Sequence, residues 1–274
     1  MSEAVYRAVV RALETGERAA LVTIVATGGS TPQRVGAKML VYEDGRTVGT
    51  IGGGCYENDA AGKAREAIRR RQPRMAHYSL NDDLAGESGL ICGGQMDVYI
   101  EPIERAPDLY LVGAGHVSVE VARFAQATGF RVHVLDDREQ FASADRFPGA
   151  ELIIDDIPGW LARAAIPPDA YVVVVTRGHR QDFEAMRELA RRPLRYLGLI
   201  GSRAKVAQVF DALAAGGTDA SRLAAVHAPI GLDIGAVTPA EIGISIVAEL
   251  VAVRSGRIGE PHVAAAALKA SLPR

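Results

Sequence analysis

The second half of the chain alternates short apolar runs with segments in which apolar residues recur at helical spacing. Apolar runs without polar alternation are typical of strands in a parallel sheet, which helices cover on both faces. From about residue 108 onward, this pattern therefore predicts an α/β domain with a mainly parallel, doubly wound sheet. Its predicted strands are 109–112, 131–135, 152–154, 171–175, 196–200 and 223–226.

The first half lacks this regular alternation, and glycine-rich turns separate its strands. Apolar spacing predicts an N-terminal helix, and a segment rich in alanine and arginine predicts a second helix that begins near Cys55 and ends near Arg71. Residues 43–46 (EDGR) have the composition of a hairpin turn. The predicted strands are 20–26, 38–42, 47–51 and 96–100. We therefore expect a small N-terminal α/β domain over residues 1–105 and a C-terminal domain over residues 106–274.

The first strand of the second half runs directly into a glycine-rich turn and then into a helix. Gly113 permits the tight turn, and Gly115 lets the backbone approach a pyrophosphate that the helix N-terminus attracts. Ser118 replaces the third glycine of the usual fingerprint, so either the helix lies slightly further from the strand or the hydroxyl is an extra donor. Asp136 ends the next strand, where a carboxylate accepts a hydrogen bond from a ribose 2′-hydroxyl and repels a 2′-phosphate. Together these features predict a Rossmann-type nucleotide site.

Loops after the other strands are expected at the same edge of the sheet, because the carboxyl ends of parallel strands form the ligand crevice. Gly201-Ser202-Arg203 opens a helix there, and its amides with the guanidinium predict an anion site. The histidines expected at this edge are His116, His179 and His227. We interpret them as loop side chains that cap the backbone or contact a ligand; a metal site formed with Asp233 is the less favoured alternative.

Two glycine clusters in the first half each adjoin a cysteine. Cys55 follows three glycines and opens a helix whose dipole favours a thiolate, and Cys92 precedes two glycines. Arg34 and Lys38 follow an earlier glycine-rich run, and amides with nearby cations suit a phosphate or a polyanionic cofactor. The alternatives are small buried thiols and an irregular loop with solvated charges. Two carboxylates near these loops are considered as proton-transfer groups, Glu57 and Glu87.

The composition of the chain excludes several classes of partner and site, although it says little about the fold. The 274 residues carry a formal net charge of -2, which gives no general attraction to nucleic acid or to anionic membranes. No apolar run reaches the roughly 18 residues of a membrane span, and the N-terminus lacks the apolar core of a signal peptide. Two cysteines are too few for a disulfide framework or a four-thiolate zinc site. We therefore expect a cytoplasmic protein without nucleic-acid or membrane partners.

Taken together, the motifs resemble those of the XdhC/CoxI family, the accessory proteins of xanthine dehydrogenase and related molybdenum hydroxylases. The matching stretches are GGSTPQRVGAKMLV (28–41), GTIGGGCYEN (49–58), ICGGQMDVYIEP (91–102), LVGAGHVS (111–118), VLDDRE (134–139), GLIGSRAK (198–205) and HAPIGLDIGAVTPAEIGISI (227–246). They occur in order along nearly the whole chain, so the resemblance is specific. It implies a small N-terminal domain followed by a C-terminal Rossmann domain.

The resemblance implies cofactor delivery rather than ordinary metabolic catalysis. A member of this family is expected to bind molybdenum cofactor (molybdopterin) and to protect it. It is also expected to help the cofactor acquire a terminal sulfido ligand from a cysteine desulfurase, and to insert it into the apo-hydroxylase. On this basis Cys55 and Cys92 would contact the molybdenum or carry sulfur, and Arg34 and Lys38 would neutralise the pterin phosphate. A homodimer is also expected.

Two other functions are compatible with the residues. Gly113, Gly115 and Asp136 also suit an NAD(H)-dependent oxidoreductase, although no Tyr-x-x-x-Lys or equivalent catalytic pair follows the glycine turn. A nucleotide-sensing or scaffold protein without chemistry is the other alternative. NAD(P) or another nucleotide is therefore expected only as an additional ligand, and whether this chain catalyses a reaction is left open.

Overall fold

The structure is a computed structural model of the chain that describes residues 2–79 and 94–257. The chain divides into two compact units, Met1–Arg105 and Ala106–Arg274. Each unit has a five-stranded sheet, antiparallel in the first and parallel in the second. Within the described residues, no helix combines the length and the apolar character that crossing a membrane requires.

The N-terminal unit is an antiparallel sheet with a helix on each face. Its elements are α1 (Ser2–Thr15), β1 (Ala19–Gly28), β2 (Lys38–Tyr42), β3 (Thr47–Gly49), α2 (Gly54–Arg70), β4 (Arg74–Ser79) and β5 (Gln95–Ile103). The strand order is β3-β2-β1-β5-β4. Alternate residues of β1 point to opposite faces, so Val22 packs with Ala64 of α2 whereas Leu21 packs with Val5 of α1. The small N-terminal α/β fold is confirmed.

The hairpin and both helices of this unit are confirmed, but one strand was missed. The second strand of the hairpin ends at Gly49 and not at residue 51. Strand β4 was not predicted, although Ala76 and Tyr78 point inward in the alternation of a half-buried strand. The signal was weak because the inward alanine is small and the outward-facing Met75 is apolar.

The C-terminal unit has the predicted doubly wound sheet. Its elements are β6 (Asp108–Val112), α3 (His116–Ala127), β7 (Arg131–Asp136), β8 (Glu151–Ile154), α4 (Ile157–Arg163), β9 (Tyr171–Val174), α5 (His179–Leu189), β10 (Tyr196–Leu199), α6 (Arg203–Ala215), α7 (Ala220–Ala224) and α8 (Pro239–Arg254). The strands are parallel in the order β10-β9-β6-β7-β8. Helices α3 and α8 pack on one face, and α4, α5 and α6 pack on the other.

The strand predicted at 223–226 is wrong, because this segment begins as a short helix. Asp219 caps α7, where its carboxylate accepts a hydrogen bond from the Ser221 amide at 2.7 Å. Leu223 is buried in the apolar layer with α6, so apolar content alone did not distinguish a helix from a strand. The chain then reaches the sheet at His227, through an isolated parallel bridge to Gly198.

Helix α8 lies close to α3, and a glycine permits the contact. Thr238 and Glu241 form a capping box at the start of α8. Further along the helix, a Cβ atom on Gly243 would lie 2.8 Å from Cβ of Glu120 and 3.2 Å from its carbonyl carbon. Glycine in a helix costs about 1 kcal/mol relative to alanine. The close approach of the two helices therefore explains why glycine occupies this position.

We expect Gly243→Ala to destabilise the protein, although alanine favours helices. The added methyl group would overlap α3, and such overpacking typically costs about 1–3 kcal/mol. Gly62→Ala is the matched control, because Gly62 also lies within a helix but a Cβ there would meet no atom of the described part of the chain within 4 Å. The control should raise the free energy of unfolding by up to about 1 kcal/mol. Urea unfolding followed by circular dichroism measures both changes, and equal stabilisation by the two substitutions would contradict the close contact.

Candidate functional site

The strand order of the C-terminal sheet reverses at β6. Its chain neighbour β7 lies on one side and β9 lies on the other, so the connections after β6 and β9 run to opposite faces of the sheet. In open α/β sheets, ligands bind outside the carboxyl ends of the strands at such a switch point. The segments that line this crevice follow β6 at 113–115 and β9 at 175–178.

The two glycines of the turn after β6 have different roles. Gly113 has φ 108°, and a Cβ there would lie 2.5 Å from the carbonyl oxygen of Val175, so the fold itself requires glycine. Gly115 has an ordinary φ of -72°, and a Cβ there would meet no atom of residues 2–79 and 94–257 within 4 Å. Open space therefore lies above Gly115, where a ligand can approach the backbone.

Ser118, at the position of the third fingerprint glycine, is fully buried. Its hydroxyl donates a hydrogen bond to the carbonyl oxygen of Gly113 at 2.5 Å. Of the two interpretations of this residue, an extra donor is the one that the geometry favours, but the donor is directed at the turn. Ser118 thereby stabilises the turn that shapes the crevice.

Two helices begin at the switch point without a side-chain cap. The N-cap residues are Gly115 for α3 and Gly178 for α5, and no side chain of the described residues caps either helix start. His116 and His179 are the first helical residues, and both are exposed. The first amides of an uncapped helix attract an anion because they lack intrahelical acceptors. The predicted position of His116 at the crevice agrees with this arrangement.

Asp136 ends β7 and is buried, but its carboxylate is already fully hydrogen-bonded. Oδ2 accepts from the Ala114 amide at 2.8 Å and from Nη2 of Arg138 at 2.9 Å. Oδ1 accepts from Nε of Arg138 at 2.8 Å and from its amide at 3.0 Å. Burial alone would raise the pKa of Asp136, but these hydrogen bonds outweigh burial and lower the pKa. A ribose hydroxyl could bind this carboxylate only in competition with Arg138.

The segment predicted as an anion site, Gly201 to Arg203, opens α6 as expected. Ser202 caps this helix by accepting a hydrogen bond from the Lys205 amide at 3.3 Å. The Lys205 ammonium is directed inward to the buried carboxylate of Asp182, at 2.5 Å, with its stem over Gly201. Arg203 is exposed and forms no ion pair within the part of the chain that the structure describes. It is therefore the basic group of this segment that faces solvent.

His227 is buried and does not face the crevice with the other two histidines. Its Nδ1 lies 2.9 Å from Oε1 of Glu249, whose Oε2 accepts hydrogen bonds from the Tyr196 hydroxyl and the Gly231 amide, each at 2.7 Å. Burial would raise the pKa of Glu249, but its hydrogen bonds with His227 and the other donors lower it. A histidine site with Asp233 is not formed, and residues 2–79 and 94–257 contain no group of three metal-ligating side chains.

In the N-terminal unit, Cys55 lies in the first turn of α2 and is exposed. The alternative that this thiol is a small buried residue is therefore wrong. Gly52, Gly53 and Gly54 all have positive φ, at 130°, 79° and 77°, which explains the run of glycines before the helix. Cys92 and Glu87 lie outside the described residues.

Glu57, which was considered as a proton-transfer group, stabilises this glycine turn through one oxygen of its carboxylate. Its Oε2 accepts hydrogen bonds from the amides of Ile51, Gly52 and Gly53 at 2.9, 3.1 and 2.9 Å, and from the Thr50 hydroxyl at 2.5 Å. Burial would raise the pKa of Glu57, but the hydrogen bonds from Thr50 and the amides lower it. An internal carboxylate thus occupies the amides that an external anion would otherwise use.

Three of the glycine-rich segments in this unit meet. A Cβ on Gly52 would lie 2.7 Å from Cγ of Pro32, and a Cβ on Gly94 would lie 2.7 Å from the carbonyl oxygen of Gly28. The segments before Arg34, before Cys55 and after residue 93 are therefore neighbours. Arg34 is exposed, whereas Lys38 is half-buried, with Nζ 3.4 Å from the Thr23 hydroxyl.

Sequence reasoning placed Arg138 at this edge of the sheet but missed its pairing with Asp136, and it missed Arg146 altogether. Arg138 covers Asp136, and Nη1 of Arg146 donates a hydrogen bond to the carbonyl oxygen of Ala114 at 2.9 Å. The spacing of Asp136 and Arg138 in DDR was a local signal that could have indicated the first pair. Arg146 lies 32 residues from Ala114, and no local pattern points to that contact.

Two family profiles match the chain. One, described as the XdhC Rossmann domain, matches residues 109–250, and the other, described as the XdhC and CoxI family, matches residues 12–79. The first match alone covers more than half of the chain. The matched segments fall in the two structural units in the same order.

Three known proteins are similar over most of the chain. The uncharacterized protein YqeB of Escherichia coli (strain K12) is 37% identical over 242 residues, which are 88% of this chain and 44% of YqeB, so the chain spans less than half of that relative. A Bacillus subtilis (strain 168) protein, named as a probable component of xanthine dehydrogenase, is 26% identical, with 88% of this chain and 95% of that protein covered. The molybdenum cofactor insertion chaperone PaoD of E. coli (strain K12) is 25% identical, with 91% and 88% covered.

A solved structure has the same fold. This crystal structure, of a Bacillus halodurans protein described as a xanthine dehydrogenase, superposes with a TM-score of 0.53 at 24% identity. The match covers 92% of this chain and 96% of that chain. At this identity the likeness shows the fold alone.

We expect Glu57→Gln to destabilise the protein by about 1 kcal/mol at pH 7, because the neutral amide oxygen is a weaker acceptor for the clustered donors. Partial exposure to solvent keeps the effect modest. Since folding lowers the pKa of Glu57, its contribution is complete above the ordinary value of 4.5 and is lost as the pH falls through the lower folded value. The difference between wild type and variant should therefore shrink below about pH 4.5.

Urea unfolding at a series of pH values measures this difference. Glu14→Gln is the control, because Glu14 is exposed and forms no hydrogen bond or ion pair within the described residues. A difference between wild type and Glu57→Gln that stays constant from pH 7 down to acid would contradict the hydrogen-bonding role of the carboxylate.

Proposed function

The chain belongs to the XdhC and CoxI family, and from this premise we propose that it is an accessory protein for the insertion of molybdenum cofactor into a xanthine dehydrogenase-type hydroxylase. The names of two relatives support the proposal, since one refers to xanthine dehydrogenase and the other to a molybdenum cofactor insertion chaperone. The cofactor is cargo, so the chain must bind it reversibly and release it to the apo-hydroxylase.

The observation that carries the proposal for this chain is the exposed thiol of Cys55 at the meeting point of the glycine-rich segments. Molybdenum accepts soft sulfur ligands, and the Cys55 sulfur is exposed in the first turn of α2. Arg34 lies in a neighbouring segment and is exposed, so its guanidinium is available to the pterin phosphate. Lys38 would assist from the same loop, and Cys92 would add a second thiol.

The finer steps of the proposal concern sulfur and assembly. A cysteine desulfurase would supply the terminal sulfido ligand while the cofactor is bound, and Cys55 or Cys92 would contact the metal or carry the sulfur. A homodimer would present two copies of the cargo site. A carrier should bind the metal through only a few protein ligands, because a complete set of protein ligands would oppose release of the cofactor to the hydroxylase.

The C-terminal crevice favours a second ligand, NAD(P) or another nucleotide. Its support is the open space above Gly115 and the two uncapped helix starts at the switch point. Arg203 would add a cation at the same edge of the sheet. This ligand would regulate or accompany delivery of the cargo, since no Tyr-x-x-x-Lys pair follows the glycine turn to support a dehydrogenase.

We expect molybdenum and the fluorescent oxidised pterin to purify with the full-length protein from cofactor-producing cells under anaerobic conditions. Cys55→Ser should lower the molybdenum content by about tenfold, equivalent to roughly 1.4 kcal/mol of binding free energy. Arg69→Ser is the matched control, because Arg69 is exposed at the opposite end of α2. Metal analysis and pterin fluorescence measure the cargo. Absence of both signals from the wild type would contradict the proposal.

For the nucleotide, we expect Gly115→Ala to weaken binding by about tenfold while changing stability by less than about 1 kcal/mol. The added methyl group would enter the open space through which the ligand approaches. Gly113→Ala should instead lower the free energy of unfolding by about 2 kcal/mol or more, because its φ is positive and the methyl group meets the Val175 carbonyl.

Calorimetry with NAD⁺, NADP⁺ and ATP measures binding, and thermal unfolding measures stability. Failure of the wild type to bind any of the three nucleotides would contradict the proposed second ligand. Equal destabilisation by the two substitutions would show that Gly115 is required by the fold, not by a ligand.

A further inference from the structure

Arg138 shields the carboxylate that the sequence pattern assigns to a ribose hydroxyl. The Arg138 guanidinium forms a bidentate ion pair with Asp136, and the remaining acceptor positions are taken by the amides of Ala114 and Arg138. A carboxylate has about four lone-pair sites, so this one has no position left for a further donor. A ligand at the end of β7 therefore meets a guanidinium before it meets the acid.

The guanidinium of Arg138 is held in place and retains unused donors. It stacks on the ring of Phe141, with 3.7 Å from the central carbon to the ring centroid. The side chain is 21% exposed. Its Nη1 forms no hydrogen bond with the described residues, so it can donate to a ligand while Nε and Nη2 stay on Asp136.

A second arginine reaches the same end of the sheet from the loop after β9. Nη2 of Arg177 lies 3.1 Å from Oδ2 of Asp137. Asp136 and Asp137 are thus each paired with an arginine, and the local charge is balanced. An added phosphate would approach two guanidinium groups, whereas an unpaired carboxylate would repel it.

We propose that Arg138 makes this crevice select nucleotides with a phosphate on the ribose 2′ oxygen over nucleotides with a free 2′-hydroxyl. The inference rests on the proposed nucleotide site and specifies the class of ligand that fits it. In dinucleotide-binding folds the acid after the second strand binds the 2′-hydroxyl, and a nearby arginine accommodates a 2′-phosphate. Here the acid is present but neutralised, so the preference is the reverse of the one that Asp136 alone indicates.

The test compares NADPH with NADH, which differ only in the 2′-phosphate, by calorimetric titration of the full-length protein. The wild type should bind NADPH at least about tenfold more tightly, as expected for a charge-assisted hydrogen bond. Arg138→Gln should bring this ratio to about one or below, because it removes the cation and leaves the Asp136 charge to repel the phosphate. Arg138→Lys keeps the charge but loses the bidentate geometry, so an intermediate ratio is expected.

Arg123→Gln is the matched control. Arg123 is an exposed arginine of α3 in an ion pair with Glu120, and its replacement should leave the ratio unchanged. Thermal unfolding establishes whether each variant is folded. If Arg138→Gln does not fold, Arg138→Lys serves as the test variant.

The possible results distinguish the proposed selectivity for a 2′-phosphate from the existence of the nucleotide site. Equal binding of both nucleotides to the wild type, or a wild-type ratio in Arg138→Gln, would overturn the selectivity and leave the nucleotide site standing. Failure of the wild type to bind NADPH and NADH would overturn the selectivity, and failure to bind ATP as well would overturn the nucleotide site. A preference for NADPH that depends on Arg138 but not on Arg123 would support both.

Discussion

The amides of tight glycine turns need acceptors, and in both units internal carboxylates provide them. An unpaired amide that is shielded from water costs about 1–3 kcal/mol. Glu57 accepts from the turn before α2, Asp136 accepts from the turn after β6, and Glu249 accepts from Gly231. Each acid lies on a regular helix or at a strand end, so the turn is tied to a rigid element. The loops that carry the candidate ligands are shaped in this way before any ligand is present.

Buried acids in the C-terminal unit also require basic partners, because an unpaired charge away from water is costly. Such pairs include Asp136 with Arg138 and Asp182 with Lys205, whereas Glu249 accepts hydrogen bonds from the Tyr196 hydroxyl and the Gly231 amide. Residues that would be candidates for ligand binding from their type alone therefore have structural partners. The amides at the starts of α3 and α5 differ, since no side chain in the part of the chain that the structure describes caps them, and His116 and His179 are exposed.

The two units supply different chemistry to the proposed function. The N-terminal unit presents an exposed thiol beside a carboxylate-stabilised turn, and neighbouring segments bring an arginine toward the same loops. The C-terminal unit presents backbone amides and guanidinium groups, which suit phosphates rather than a soft metal. A carrier of a pterin-bound metal that also responds to a nucleotide would use both kinds of site.

The sequence by itself determined the parallel sheet, the glycine turn at its switch point, the capping box of α8 and the position of Cys55 at a helix start. These features depend on apolar periodicity and on turn or cap residues only a few positions apart, so they can be read locally. The tertiary structure decided which polar side chains remain available to contact a ligand. Asp136 and Ala114 are 22 residues apart, as are His227 and Glu249, and only folding brings such partners together. The short helix at 220–224 was decided in the same way, because its apolar residues fit a strand or a helix until packing and the Asp219 cap select one.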